Sequence, residues 1–281
     1  MPDFWSHHLA ADAALKTIRD RNPVWDDAHD NLYYLGAQGP DFFYYINKLH
    51  FLIKTNYKEV GNLIHDKRRN TLFENILNLY SKTQAPEVRS YLAGFMTHYL
   101  LDVTCHPLIC QLGPEEDTHK RVEMDFDALI LNKYWKRNPK QLNPKQFMCS
   151  DAQLDIGFTP IWEKLLWSTY AVKVPADSMK SGHFEMIRIE SLLVSGFIDR
   201  LPFKSQISKW IHYDLSTLTL PDVSDPKLST ERQYEAFESA YISGISLITQ
   251  ALLDLEKLRK QEMSIPAFMA NYIKYDFLGE A

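Results

Sequence analysis

Two histidine–carboxylate pairs lie close together in this chain. The first is in Phe95-Met96-Thr97-His98-Tyr99-Leu100-Leu101-Asp102-Val103-Thr104-Cys105-His106-Pro107. His98 and Asp102 are four residues apart, which on a helix stacks them on one face. Their neighbours are almost all apolar, so the helix is expected to be central and buried. A histidine and a carboxylate there must be paired, hydrogen-bonded or bound to metal, because an unpartnered buried charge is very costly. Pro107 disfavours the α conformation at His106, so the helix is expected to end there. The turn Gly113-Pro114 then leads into Glu115, Glu116 and Asp117, an acidic start suited to the positive end of a second helix. Along it His119, Glu123 and Asp127 again recur every four residues. One such pair is commonly a solvated face. Two in tandem, with His106 between them, point to metal. Imidazole with carboxylate suits zinc, and iron or manganese as well.

The elements that must position these groups read as helical nearly throughout. Trp5 to Ile18 forms a first helix that Ser6 could cap, placing His7 and His8 at its start. Leu35-Gly36-Ala37-Gln38-Gly39-Pro40-Asp41 is a clear break, followed by an aromatic helix from Phe42 to Ile53. His65 lies near the end of another segment, and Leu72 to Tyr80 continues helical. Pro86 suits the first turn of the helix that carries His98. Phe126 to Trp135 completes the His119 helix. Asn138-Pro139 and Asn143-Pro144 punctuate a loop, the best internal boundary. Beyond it, helices are expected over Ile161–Val172 and Phe184–Phe197. Tyr234, Phe237, Tyr241, Ile245, Ile248, Leu252 and Leu255 mark a long amphipathic helix, and Phe268–Phe277 a short last one. No period-two strands or repeats occur. The expected fold is all-α: a multi-helix bundle around a buried metal cluster over residues 1–137, with a helical extension over 138–281 packed on it.

The bulk properties narrow the function classes. The 281 residues are enough for a real core, and 45 % apolar with 24 % charged residues is ordinary globular composition. A net charge of -5 offers no basic surface for nucleic acid. Cys105, Cys110 and Cys149 form no CxxC, which suggests reduced thiols in a cytoplasmic setting. The start Met1-Pro2-Asp3-Phe4-Trp5 has no basic region and no long apolar run follows, so neither signal peptide nor membrane span is expected.

Taken in order, Ser6-His7, the turn ending Pro40-Asp41, His65, the stretch His98, Asp102, His106, and the pair His119, Glu123 resemble the zinc-dependent phospholipase C family. That family shares its site design with the P1/S1 nucleases. The His98–Glu123 part is the specific part of the likeness, and about the first half of the chain is covered. The resemblance implies a helical bundle holding two to three zinc ions. It implies Asp41, His65, His98 and Asp102 around one ion, and His106, His119 and Glu123 around another with solvent in the open position. A third ion would share Asp102 and use His7. In secreted members a processed N-terminal amine completes that third site; here another ligand, such as His8, would have to.

Such a site clamps a phosphate between paired cations and brings a bound water to a pKa of roughly 7. The expected reaction is hydrolysis of a phosphodiester or phosphomonoester, with Asp41 orienting or deprotonating the water. The partner would be a small phosphate ester or a phospholipid. A nuclease or nucleotide phosphohydrolase on the same metals, and a catalytically silent metal-stabilised protein, are the alternatives. Each residue also has a plainer reading. His7 competes with His8 and His65 with His50; Asp41 could merely cap the next helix. Asp127 could hold a ligand imidazole or face solvent. His29, His183 and His212 have no partner pattern, and Tyr33, Tyr34 and Phe42 to Tyr45 read as core more than pocket.

Overall fold

A computed structural model describes residues 4–21, 25, 29–48, 57–136, 142–197, 200–211 and 231–279. The described residues form helices joined by turns and contain no strand. The order is α1 (Phe4–Arg19), α2 (Asp30–Gly36), α3 (Phe42–Tyr45), α4 (Tyr57–Asp66), α5 (Arg69–Lys82), α6 (Pro86–Leu112) and α7 (Glu116–Ile130). There follow α8 (Asp151–Gly157), α9 (Thr159–Tyr170), α10 (Ala176–Val194), α11 (Lys204–Ile211), α12 (Glu231–Arg259) and α13 (Ile265–Tyr272).

Helix α6 is the axis of the bundle. From Ser90 to Asp102 every residue is buried, as its all-round apolar sequence requires. Pro86 occupies its first turn, where the missing N–H is not needed. The helix does not end at His106 as expected; it runs through Pro107 to Leu112. Proline removes one backbone hydrogen bond, and the packing of α1, α2 and α12 around this helix outweighs that local loss. His106 therefore stays in register with His98 and Asp102.

Helix α2 lies directly on α6. A Cβ on Gly36 would come within 2.1 Å of the Tyr91 carbonyl oxygen, and one on Gly94 within 1.9 Å of the Tyr33 carbonyl oxygen. Only glycine lets the two backbones meet so closely. That contact fixes the turn after α2 against the middle of α6, where His98 sits.

The second half packs on the first. In α12, Phe237 stacks on Phe126 of α7 with ring centroids 3.7 Å apart. Gly244 lies against Thr104 of α6. The aromatic helix after Asp41 is shorter than expected: α3 ends at Tyr45, and residues 49–56 lie outside the described residues. The last helix also ends early, at Tyr272, and the chain continues without regular structure to Phe277. Phe277 is nonetheless fully buried.

Candidate metal centre

Helix α1 enters the core at its N-terminus. Ser6 does not cap it; it lies inside the helix. Instead the Asp127 carboxylate of α7 accepts hydrogen bonds from the Trp5 N–H (2.8 Å) and the Ser6 N–H (2.9 Å). These are among the amides that a helix start leaves unpaired, and a carboxylate suits the positive helix end. Gln38 donates to the Phe4 carbonyl and Tyr241 to the Ser6 carbonyl, so three elements grip this end. His7 is thereby aimed at α6. His8 points elsewhere, among Trp5, Tyr34, Trp135 and Phe147. Burial in that aromatic box lowers its pKa to about 4.

The first cluster forms around His98 and Asp102, both fully buried. Asp102 places one oxygen 3.2 Å from His98 Nε2 and the other 3.3 Å from His7 Nε2. The His7 and His98 rings stack with centroids 4.2 Å apart. Asp41 Oδ1 lies 3.5 Å from His65 Nε2. His7, His98 and Asp102 form one compact donor group, and Asp41, His65 and His98 a second that shares His98. Asp41 stands at the start of α3 but makes no side-chain capping bond, so the simple capping role is not what it does here. Gly39 makes the turn possible twice over. Its φ is +56°, and a Cβ there would sit 2.1 Å from the His98 ring.

The second cluster joins the end of α6 to α7. His106 Nε2 faces His119 Nε2 at 3.3 Å, and Glu123 Oε1 is 3.1 Å from His119 Nε2. Cys110, one turn beyond His106, completes a compact donor group with His106 and His119. Glu115 and Thr118 close a capping box at the start of α7. Four of the histidines are held in the same manner. His65 Nδ1 lies 2.8 Å from the Gly61 carbonyl oxygen and His98 Nδ1 3.2 Å from that of Ala37. His106 Nδ1 lies 2.9 Å from the Phe277 carbonyl oxygen and His119 Nδ1 3.2 Å from that of Gly113. A carbonyl only accepts, so each Nδ1 carries the proton and each Nε2 presents a lone pair inward. This is the outer support that metal-binding histidines use.

The Nε2 atoms and carboxylate oxygens then fit a cation. His98 Nε2, His7 Nε2, Asp41 Oδ1 and both Asp102 oxygens are buried with no aligned hydrogen bond. Donor–donor separations across the two clusters run from 3.1 to 3.5 Å. A tetrahedral zinc with bonds of about 2.0–2.1 Å has ligand–ligand edges of about 3.3–3.4 Å. The side chains are thus spaced as a shared ion would space them. Electrostatics agrees. Although burial opposes ionisation, the neighbouring His98 and His7 hold Asp102 well below the usual carboxylate range. Burial lowers His7, and it lowers His106 to about 4, leaving both imidazoles neutral. His98 is raised, because Asp102 and Asp41 beside it outweigh its burial; the same two acids that favour a proton on its Nε2 would favour a cation there.

Two participants lacked a sequence signal, and a third had one that pointed to a different role. Phe277 packs its ring on His65 (4.8 Å between centroids) and near His98. Cys110 becomes a neighbour only because α6 passes Pro107. Asp127 shared the four-residue rhythm of His119 and Glu123, yet it binds backbone, not imidazole. Of the histidines without a pattern, His29 lies 3.6 Å from Glu87 on the surface side, and His183 accepts from the Cys149 N–H. His50 and His212 fall outside the described residues. Tyr33, Phe42 and Phe43 are core. No described helix is long and apolar enough to cross a membrane. A family model described as zinc dependent phospholipase C matches residues 6–166, more than half of the chain. No curated protein and no solved structure matches it.

Proposed function

We propose, starting from the membership of this chain in the zinc-dependent phospholipase C family, that it hydrolyses a phosphodiester in the manner of a phospholipase C. The observation that carries this reading is the set of buried, unbonded Nε2 and carboxylate atoms around His98 and Asp102. They lie 3.2–3.5 Å from one another without aligned hydrogen bonds, and leaving such buried groups bare costs several kcal/mol. Asp41, His65, His98 and Asp102 would hold one zinc, His106, His119 and Glu123 a second, and His7 with Asp102 a third. When bound, zinc polarises the phosphoryl oxygens and brings a water toward neutral pKa.

Asp41 has the most solvent-accessible side chain of the first cluster, at 14 % against 0–7 % for His7, His65, His98 and Asp102. It is the acid that incoming water reaches first, and it takes the proton as the water oxygen attacks phosphorus. The P–O bond to the alcohol breaks, the alkoxide gains a proton, and a phosphomonoester remains. His65 Nδ1, anchored on Gly61, keeps the imidazole next to Asp41 from turning. Phe277 closes the apolar side of His65 and His98, which limits water to the Asp41 side.

Elemental analysis should find at least two equivalents of zinc. A generic aryl phosphodiester should be turned over, with activity lost to a chelator and restored by zinc. Choline phospholipid, a mononucleotide and single-stranded DNA then identify the substrate class. The phospholipid is expected to win, since a chain of net charge -5 has no excess of cations to gather a polyanion. Preferred turnover of DNA would replace this reading with a nuclease. Bound zinc without any turnover would leave a metal-stabilised protein.

A further inference from the structure

We infer that Cys110 is a metal ligand of the second cluster, occupying the position that would otherwise be open to solvent. The inference rests on the metal-binding reading above and goes beyond it. His98, Asp102, His106 and Cys110 form one continuous row at four-residue steps on α6. Each step turns the side chain by about 40° about the helix axis, so Cys110 points about 120° away from His98. The row therefore leaves the first cluster and faces α7.

There the Cys110 sulfur lies within 4.8 Å of the imidazole nitrogens of His106 and His119, and those three donors form a compact group. The two Nε2 atoms face each other at 3.3 Å while both Nδ1 atoms are directed at carbonyl oxygens. At that distance the two nitrogens share either a proton or a cation, and a third donor, the Cys110 sulfur, converging on the same point suits the cation. The compact donor set is two nitrogens and one sulfur, and Glu123 Oε1 stands beside it at 3.1 Å from His119 Nε2. With Glu123 drawn in on binding, four protein donors including a thiolate would make a closed zinc site, whereas a water-activating site keeps a position free. A thiolate also favours zinc or cobalt over manganese or magnesium. Binding displaces the thiol proton to solvent, and no oxidant or reductant takes part. Catalysis is then left to the first cluster.

The other cysteines serve as internal controls. Cys105 and Cys149 are buried, and burial pushes both thiols up to about 12. Cys110 is only partly buried. Protein stripped with a chelator and reloaded with cobalt(II) should show a near-ultraviolet thiolate-to-cobalt charge-transfer band. Cys110→Ser should lose that band and still hold cobalt at the first cluster. The wild-type chain gives a second measurement that no folding defect can confound. Iodoacetamide labelling read by peptide mass spectrometry should spare Cys110 in the zinc form and modify it after chelation. A band that persists in Cys110→Ser, or cobalt bound at two equivalents with no band, overturns the assignment. So does equal labelling with and without zinc. Absence of any bound metal in the elemental analysis would instead remove the metal reading itself.

Discussion

Asp127→Asn tests whether the centre depends on how α1 is held. Asp127 uses its two oxygens on two backbone donors, Trp5 N–H at 2.8 Å and Ser6 N–H at 2.9 Å. Asparagine keeps one acceptor. Its amide nitrogen must face the other N–H, donor against donor, at a residue that is buried. A hydrogen bond to a charged group is worth about 1.5–3 kcal/mol, and the stranded amide costs a further 1–3. Loss of the negative charge at a helix start adds about 0.3–1 kcal/mol. The sum is about 3–7 kcal/mol against a global stability of about 5–15 kcal/mol. Gln38 and Tyr241 still bind the Phe4 and Ser6 carbonyls, so the helix should stay docked while its first turn loosens.

The first turn carries His7, whose only route into the cluster is through that geometry. The variant should melt several degrees lower and show faster amide exchange at Trp5 and Ser6. It should lose the ion that needs His7 and keep those held by His65 and by His119. Elemental analysis and hydrogen exchange on the same sample separate the two effects. Full zinc content together with wild-type exchange at Trp5 and Ser6 would refute the reasoning. Asp127 would then be a buried acid of no consequence to the centre.

Four further outcomes follow from the geometry. His119→Ala should remove the ion of the second cluster only, whereas His98→Ala should empty the first and lower stability in thermal or urea unfolding by up to about 3–5 kcal/mol, because the buried Asp102 is left with His7 as its one imidazole partner; full occupancy in either variant breaks the ligand assignment. Asp102→Asn should cost more aryl phosphodiester turnover than losing any single histidine, since its two oxygens serve His7 and His98 at once and an amide carries no charge; near wild-type turnover would make Asp102 a structural residue. Gly39→Ala puts a methyl 2.1 Å from the His98 ring at a φ of +56°, so zinc content should drop with a stability loss of at least about 1–2 kcal/mol, and unchanged zinc would mean the turn can yield. Burial lowers His8 and His183 from 6.5 to about 4, so each stays neutral when folded. Stability from them is full above about pH 6.5 and falls as pH drops toward 4, by roughly 3 kcal/mol per group at about 1.4 kcal/mol per pH unit; in chelated protein, urea unfolding of His183→Gln should show a shallower slope across that window, and an unchanged slope counts against His183.

The sequence carried the all-α class and the pairs His98–Asp102 and His119–Glu123, because four-residue spacing on a helix is a purely local rule. Its limits are equally physical. Pro107 gave a correct local preference and a wrong boundary: the packing that buries α6 outweighs one lost hydrogen bond. That single override hid Cys110, since a helix ending at His106 has no next turn on which to place it. Ser6 looked like a cap because caps are read from nearby residues, whereas the carboxylate that holds this helix is 121 residues further on. Phe277 was beyond reach for the same reason: its ring and carbonyl meet His65 and His106 only once the chain has folded back on α6. The candidate ligands are thus more legible than their supports. A ligand's type and spacing are dictated by the ion, while a support needs only one carbonyl or carboxylate, which any distant segment can bring. Activity lost by changing Phe277 would therefore report on a support that lies outside any motif and outside the span of residues 6–166 that the family model matches.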